Sequence, residues 1–287
     1  MLVEEMRVFI MSSVITLLTD FGDEDGYVAS MKGVVLSIDP SATLVDITHQ
    51  IRPQDIMEAA FVIDSTYSYF PKNTIHMVVV DPGVGSSRNA LLACVLDHYF
   101  LAPDNGALSY VLSRWLEVER PEGRVSLHRV EVPEDSSVVV YRLANETYFL
   151  SKVSQTFHGR DIFAPVAAHL SKGALPDELG ERISYIHLFS LPKPREEDGC
   201  LVGEVIYIDR FGNLITNVSL ENVSGKITIV TIAGRVIAGL SASYIEGQAI
   251  LAIVGSSGRL EIAAKNGNAA SVLQLDIGAT VEVKVSH

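Results

Sequence analysis

Four aspartates in this chain stand where short apolar runs give way to glycine-rich or polar segments. Asp20 closes Val14–Thr19, Asp46 lies at the end of a second run, Asp81 closes Thr74–Val80, and Asp209 follows Leu201–Ile208. A carboxylate so placed can cap a helix or close a turn. It can equally accept hydrogen bonds from ligand hydroxyls or take a proton from water. Arg88 follows Asp81 by seven residues across a loop containing Gly83 and Gly85, so the two side chains can face each other and hold a water between them. His158 stands in Thr156-Phe157-His158-Gly159-Arg160-Asp161, ahead of the apolar helical stretch Ile162–Leu170. Imidazole is suited to proton work near neutrality, while Asp161 also reads as an acid in the first turn of a helix. In the last third, Asp209-Arg210-Phe211-Gly212-Asn213 reads either as a hairpin turn or as a ligand loop.

The elements that must position these groups alternate in type. Val14–Thr19 and Thr74–Val80 are continuous apolar runs, as expected of strands buried on both faces. Between them Val28, Met31, Val35 and Ile38 recur at roughly helical spacing until Pro40, and Thr43–Ile47 reads as a strand. Pro53 is expected to open a helix with Ile56, Ala59, Ala60, Ile63 and Tyr67 on one side. Ala90–Leu96 and Tyr99–Ala102 add strands, and Asp104-Asn105-Gly106 turns the chain toward a helix near Leu108–Leu116. Strands separated by helices predict a parallel or mixed sheet covered on both faces. Parallel strands bring their carboxyl ends together, so Asp20, Asp46 and Asp81 are expected at one crevice.

The pattern changes after Leu191–Gly199, a linker candidate with two prolines and five charges. Leu201–Ile208, Lys226–Ile232, Ala249–Val254, Arg259–Ala263 and Thr280–Val285 are short and β-branched, with glycine-rich turns between them. They predict an all-β module, sandwich or small barrel. The expected domains are residues 13–190 and 200–287.

Composition narrows the function classes. A chain of 287 residues with 48% hydrophobic content can bury a core without disulfides. The net charge of −13, with no basic run, argues against nucleic acid or an anionic membrane as partner. Cys94 and Cys200 lie far apart without ligand spacing, and no His-x-x-x-His appears, so no metal is expected. No Gly-x-Ser-x-Gly elbow provides a serine nucleophile, and the Asp81–Gly85 loop lacks the Gly-Lys-Ser/Thr ending of a phosphate loop. No apolar run reaches the ~18 residues of a membrane span. The opening residues MLVEEMRVFIMSS carry acids and a broken apolar stretch, unlike a signal peptide. The expectation is a cytoplasmic protein.

Taken together, six motifs occur in a familiar order: Thr19-Asp20-Phe21-Gly22, Asp46-Ile47-Thr48-His49, Val79-Val80-Asp81-Pro82-Gly83-Val84-Gly85, Pro103-Asp104-Asn105-Gly106, Phe157-His158-Gly159-Arg160-Asp161 and Asp209-Arg210-Phe211-Gly212-Asn213. From about Val14 onward the chain resembles the S-adenosyl-L-methionine (SAM) hydroxide adenosyltransferases, adenosine-forming SAM hydrolases related to SAM-dependent fluorinases and chlorinases. The resemblance implies an N-terminal α/β/α sandwich, a smaller C-terminal β-barrel, and a homotrimer with active sites between subunits. It implies attack of water or hydroxide on C5′ of SAM, giving adenosine and L-methionine, with no cofactor beyond the substrate.

Carried over by motif position, Asp81, Arg88 and His158 become the water site, and Asp20 the acceptor for the ribose diol. Asp209 would receive the methionine ammonium, and Asn213 would contact the nucleoside or amino acid. Tyr244, Ser257 and Glu261 fall where the barrel approaches the adenosine end. The chemistry agrees with this assignment. A sulfonium already leaves well, so what remains is to hold a water in line with the C5′–S bond and remove its proton. The alternatives are a halogenase, in which halide replaces water, and a non-catalytic SAM- or nucleoside-binding protein.

Overall fold

The computed structural model describes residues 14–118, 125–220, 223, 225–246 and 248–286; the opening residues read above against a signal peptide lie outside them. The chain divides into a unit ending at Ser190 and one beginning at Leu191. Its mixed α/β first unit and β-barrel-like second unit, to which one short helix is added, match the fold class expected from the sequence.

The first unit opens with β1 (Val14–Thr19), α1 (Tyr27–Ile38), β2 (Thr43–Thr48), α2 (Ile56–Thr66) and β3 (Ile75–Val79). A hairpin of β4 (Ala90–Val95) and β5 (His98–Pro103) follows, then α3 (Ser109–Leu112), β6 (Leu127–Glu131) and β7 (Val138–Leu143). It closes with a π-helical turn (Gly159–Phe163), α4 (Ala164–Ser171), α5 (Pro176–Leu179), β8 (Gly180–Ile183) and β9 (Tyr185–Phe189). Seven strands form one mixed sheet in the order β2-β1-β3-β5-β4-β7-β8, while β6 and β9 pair separately. The pairings among β2, β1, β3 and β5 are parallel; the rest of the large sheet is antiparallel.

Alternation along the strands produces two apolar faces. Ile15, Leu17, Ile75 and Met77 pack with Met31 and Val35 of α1 and Val166 and Leu170 of α4. Leu18, Val78 and Leu91 pack on the other side with Ala59 and Ile63 of α2 and Val111 and Leu112 of α3. Fully buried cores on both faces are why these strands read as continuous apolar runs.

Two helix expectations shift. Helix α2 starts at Ile56 and not at Pro53, because Asp55 caps it by accepting from the Glu58 amide at 2.9 Å. Helix α3 covers only Ser109–Leu112 of the expected Leu108–Leu116.

The second unit contains β10 (Arg195–Glu197), β11 (Cys200–Ile208), β12 (Leu214–Ser219), β13 (Lys226–Ile232), β14 (Arg235–Ala238), β15 (Ile250–Val254), β16 (Arg259–Ala264), α6 (Ala269–Leu273) and β17 (Thr280–Ser286). Its antiparallel sheet runs β14-β13-β17-β11-β12-β16-β15, with β10 added on β11. The Ser241 amide donates to Ala252 O at 2.8 Å, drawing the segment after β14 onto β15 and nearly closing a barrel. Val205, Leu214, Val230, Ile262 and Val281 fill it. The linker candidate Leu191–Gly199 carries strand β10, because Arg195–Glu197 pair back onto Cys200–Val202.

One buried polar group makes the first unit sensitive to acid. His76 in β3 is fully buried, with Nδ1 2.8 Å from Thr16 Oγ1 and Nε2 3.2 Å from Nδ1 of His98. Burial and the neighbouring His98 push its pKa down to about 3. The unfolded chain binds a proton there from about pH 6.5 downward while the folded chain does not, so stability falls as pH falls between those values. In urea denaturation between pH 7 and 4, His76→Gln should flatten this loss by up to ~1.4 kcal/mol per pH unit relative to wild type.

Candidate active site

Strands β2, β1 and β3 end on the same side of the sheet, and α1 and α2 leave toward opposite faces. A crevice therefore opens between the ends of β1 and β3, as open α/β sheets require at such a reversal. It holds a cavity of about 400 Å³. Asp20 and Phe21 after β1, Asp81, Pro82 and Val84 after β3, Tyr27, Gln54 and the Thr156–Gly159 segment line it.

Asp81 and Arg88 form a fork-to-fork pair. Arg88 Nε donates to Oδ1 at 2.9 Å and Nη2 donates to Oδ2, with the side chains only 6% and 10% exposed. The same Nη2 lies 2.8 Å from Nδ1 of His158. A guanidinium can only donate, so Nδ1 is the acceptor and the neutral ring carries its proton on Nε2. Burial lowers the His158 pKa and the Arg88 charge lowers it further, against opposing contributions from Asp81, Asp161 and the Ser154 main chain.

The loop carrying this pair is held from below. Asn105 Nδ2 donates to Val80 O at 2.9 Å, and Asn89 Nδ2 to buried Asp104 at 3.3 Å, so the Asp104–Asn105 turn holds both flanks of Asp81–Arg88. Gly85 has φ +77° and lies against the main-chain oxygen of Gln155, where a Cβ would collide with it. That close approach brings the Arg88 loop and the His158 segment together.

Asp20 turns one oxygen, Oδ2, toward the Gln54 amide at 2.7 Å. Asp46 is not part of the cavity wall. It pairs with Lys32 at 2.5 Å and lies 3.0 Å from Nε2 of buried His49, whose Nδ1 is 2.9 Å from Thr19 Oγ1. Thr19 Oγ1 accepts from the Phe21 amide, and the His49 carbonyl accepts from the Gly22 amide. Asp46 and His49 thus prop the turn that carries Asp20 and Phe21.

The second unit gathers another set. Asp209 accepts from the amides of Phe211 and Asn213 and from Asn213 Nδ2, each at 2.9 Å, in the turn between β11 and β12. The segment is a hairpin turn, and its carboxylate shapes it. Tyr244 donates to buried Glu261 at 3.0 Å. Burial raises the Glu261 pKa and Asp209 adds to that rise; burial and the Glu261 contact push Tyr244 up to about 12. Gly255 leaves the space that the Glu261 carboxylate fills. Ser257 lies exposed in the β15–β16 turn.

The polar expectation missed an aromatic wall. Phe21, Tyr27 and Phe157 meet edge-on or tilted at 5.2–5.7 Å between ring centroids, beside Asp20 and His158. Two of the three stand inside the quoted motifs, so a signal was present in the sequence. Gln54 carried none: it matters through its backbone amide, in a left-handed conformation with φ +66°. Burial raises the pKa of Cys94 to about 12, which removes it as a nucleophile near neutrality. Among the described residues no group of three or more His, Cys, Asp or Glu is placed to hold a metal.

Comparison with known proteins matches residues 15–180 to the SAM hydroxide adenosyltransferase N-terminal domain and residues 203–282 to the corresponding C-terminal domain. The chain belongs to the SAM hydroxide adenosyltransferase family. It is 36% identical over 267 residues to the (R)-S-adenosyl-L-methionine hydrolase of Thermus thermophilus, covering 93% of this chain and 97% of that protein. A fluorinase from an Actinoplanes species is 30% identical over 71% of each chain. The crystal structure of an uncharacterized conserved protein from Thermotoga maritima matches with a TM-score of 0.81 and 33% identity, covering 94% of this chain and 99% of that one. The two family matches span the residues lining the cavity and the Asp209–Glu261 set.

Gly85→Ala should separate the two loops that this family site brings together. The left-handed backbone and the Gln155 contact together cost about 1–3 kcal/mol, lowering the melting temperature by roughly 2–10 °C. Calorimetry checks the loss, and a crystal structure of the variant should show Arg88 displaced from His158.

Proposed function

We propose that this protein hydrolyses S-adenosyl-L-methionine to adenosine and L-methionine, with Asp81, Arg88 and His158 as the water site. The observation that carries this reading is one guanidinium bonded to both a carboxylate and a neutral imidazole that line a cavity also presenting Asp20 and three aromatic rings. The water oxygen forms a bond to C5′, the C5′–S bond breaks, and its electron pair returns to sulfur as a neutral thioether. The water proton passes to Asp81. Sulfur leaves without protonation, so the step calls for neither an acid on the leaving group nor a cofactor.

Asp81 is favoured over His158 as proton acceptor because Nδ1 already accepts from Arg88 and the neutral ring bears its proton on Nε2. His158 then holds Arg88, and Arg88 orients the carboxylate while offsetting charge developing on the water oxygen. Asp20 keeps acceptor capacity for the ribose diol, and the aromatic wall suits the apolar faces of the adenosyl group. Asp209 takes the methionine ammonium and Asn213 contacts the nucleoside or amino acid, with Tyr244, Ser257 and Glu261 on the nucleoside side.

The proposal includes a homotrimer with sites completed between subunits, and a cytoplasmic location. The assembly is supported by the division of polar groups between the two units, and by Phe211 and Ile245, 76% and 77% exposed close in sequence to Asp209 and Tyr244. No described helix is long and apolar enough to cross a membrane.

Halide chemistry, suggested by the fluorinase relatives, fits less well. An anion ~4 Å from the Asp81 carboxylate is penalised by about 4 kcal/mol at an effective dielectric of ~20, before Arg88 offsets part of it.

Purified protein incubated with SAM in oxygen-18 water and chloride buffer should yield adenosine labelled at the 5′-hydroxyl, methionine, and no 5′-chloro-5′-deoxyadenosine. Asp81→Asn should lower kcat by about 10²–10⁴-fold with a much smaller change in KM, since its partner is the attacking water. Unlabelled adenosine would exclude direct water attack, and unchanged SAM would leave a binding protein. Mixing the separately inactive Asp81→Ala and Asn213→Ala proteins under subunit exchange should restore activity. Verified mixed oligomers that remain inactive would place the whole pocket within one chain.

A further inference from the structure

We propose that Asp161 is the positioning residue that seats His158, acting through Ser154 and through the π-helical turn in which it stands. The inference rests on the reading of His158 as part of the water site, and it assigns a task to a buried acid that the hydrolysis step does not use.

Asp161 is fully buried, yet its side chain does not serve the helix that follows. Oδ2 reaches back and accepts from both the amide and the hydroxyl of Ser154, at 2.8 and 2.6 Å. Oδ1 accepts from Arg160 Nε at 2.6 Å. Burial works to raise the Asp161 pKa, and these bonds outweigh it, keeping the group below the usual carboxylate range. Ser154 Oγ in turn accepts from the Phe157 amide at 3.1 Å. One carboxylate thereby shapes the turn that ends at His158.

The main chain of Asp161 makes a second tie. In a regular helix its carbonyl would accept from the amide four residues on, but residue 165 is proline and has no N–H. The turn instead closes with a wider bond from the Ala164 amide to Gly159 O. The Asp161 carbonyl takes the Leu150 amide at 3.0 Å. Residues 150 and 154 are therefore both anchored to Asp161, one through its backbone and one through its side chain. A π-turn at this point is a local departure from ideal helix that frees a carbonyl for use by a loop.

Both functional side chains of the segment depend on that clamp. Phe157 is held by its amide bond to Ser154 and by the Arg160 guanidinium, 5.1 Å from its ring centroid, while Arg160 is itself bonded to Asp161. His158 follows directly, with Nδ1 presented to Arg88 at 2.8 Å. With the clamp released, the imidazole loses the fixed orientation that makes Nδ1 the acceptor.

The test uses Ser154→Ala, which keeps the amide bond to Asp161 and the Arg160 pair, alongside Asp161→Asn, with Ser154→Thr as the rescue variant. Two readouts are taken on the full chain: SAM turnover, and the ring-nitrogen NMR shifts of His158 in protein labelled with ¹⁵N-histidine, assigned with His158→Gln. Wild type should show the Nε2–H tautomer alone at neutral pH. Ser154→Ala should show a mixture of tautomers and a kcat lower by about tenfold, with KM for SAM changed less than about threefold. Ser154→Thr should restore both.

A His158 tautomer and kcat like wild type in Ser154→Ala would overturn the proposal, even if Asp161→Asn proves too unstable to purify. Equal losses in Ser154→Ala and Ser154→Thr would overturn it as well, since the hydroxyl would then not be the connecting group. If wild type fails to turn over SAM while the tautomer still shifts in Ser154→Ala, the positioning role stands and the hydrolase reading falls.

Discussion

The site depends on the position of one guanidinium. Arg88 can neither accept a hydrogen bond nor lose its charge near neutrality, so every group it touches must present a lone pair. That requirement presents both Asp81 oxygens to its fork and fixes which nitrogen of His158 is free of its proton. A carboxylate and an imidazole facing one cavity without Arg88 would leave the proton distribution between them open. With it, the three groups have one consistent hydrogen-bond assignment.

Most of the surrounding architecture serves that geometry. The parallel pairing of β1 with β3 brings Asp20 beside Asp81, because both strands run to the same edge. The Asp104–Asn105 turn secures the flanks of the Arg88 loop, and the open Cα face of Gly85 lets that loop meet the 154–158 segment. Asp46, His49 and Thr19 do the corresponding work beneath Asp20. Asp104, His49 and Thr19 are withdrawn from solvent, and each is costly unless its bonding capacity is used. Using that capacity on neighbouring backbone amides stiffens the loops that a bare sheet edge would leave mobile.

The second unit solves a different electrostatic problem. Burial pushes the Glu261 carboxyl upward, and the neighbouring Asp209 adds to that rise. The Tyr244 hydroxyl offsets part of this by donating to Glu261. In the proposed function this cluster accepts donors from the substrate, which carries an ammonium and a ribose diol.

The sequence by itself determined the fold class, a crevice at the strand ends and the family, because each follows from local pattern; that the crevice lies between β1 and β3, without Asp46, came from the strand order. Buried strands have apolar runs, proline and glycine punctuate them, and six short motifs in one order carry the family resemblance. Asp81, Arg88 and His158 were legible as candidates through residue type and position at element ends. What tertiary structure decided is relational. That Asp46 and Asp104 prop loops while Asp20 and Asp81 face the cavity depends on which way each carboxylate turns, and all four look alike as acids at strand ends. Strands β6 to β10, β12 and β14 went unread: β8, β10 and β14 are only three or four residues long and take their definition from their partners, whereas β7, Val138-Val139-Val140-Tyr141-Arg142-Leu143, carried a β-branched, alternating signal of its own. Gln54 contributes a backbone amide, a group every non-proline residue carries, so its residue type says nothing of its role. The π-turn at Asp161 lies between these cases. Pro165 announces in the sequence that a carbonyl will lack its helical partner, but only the folded chain brings Leu150 to it.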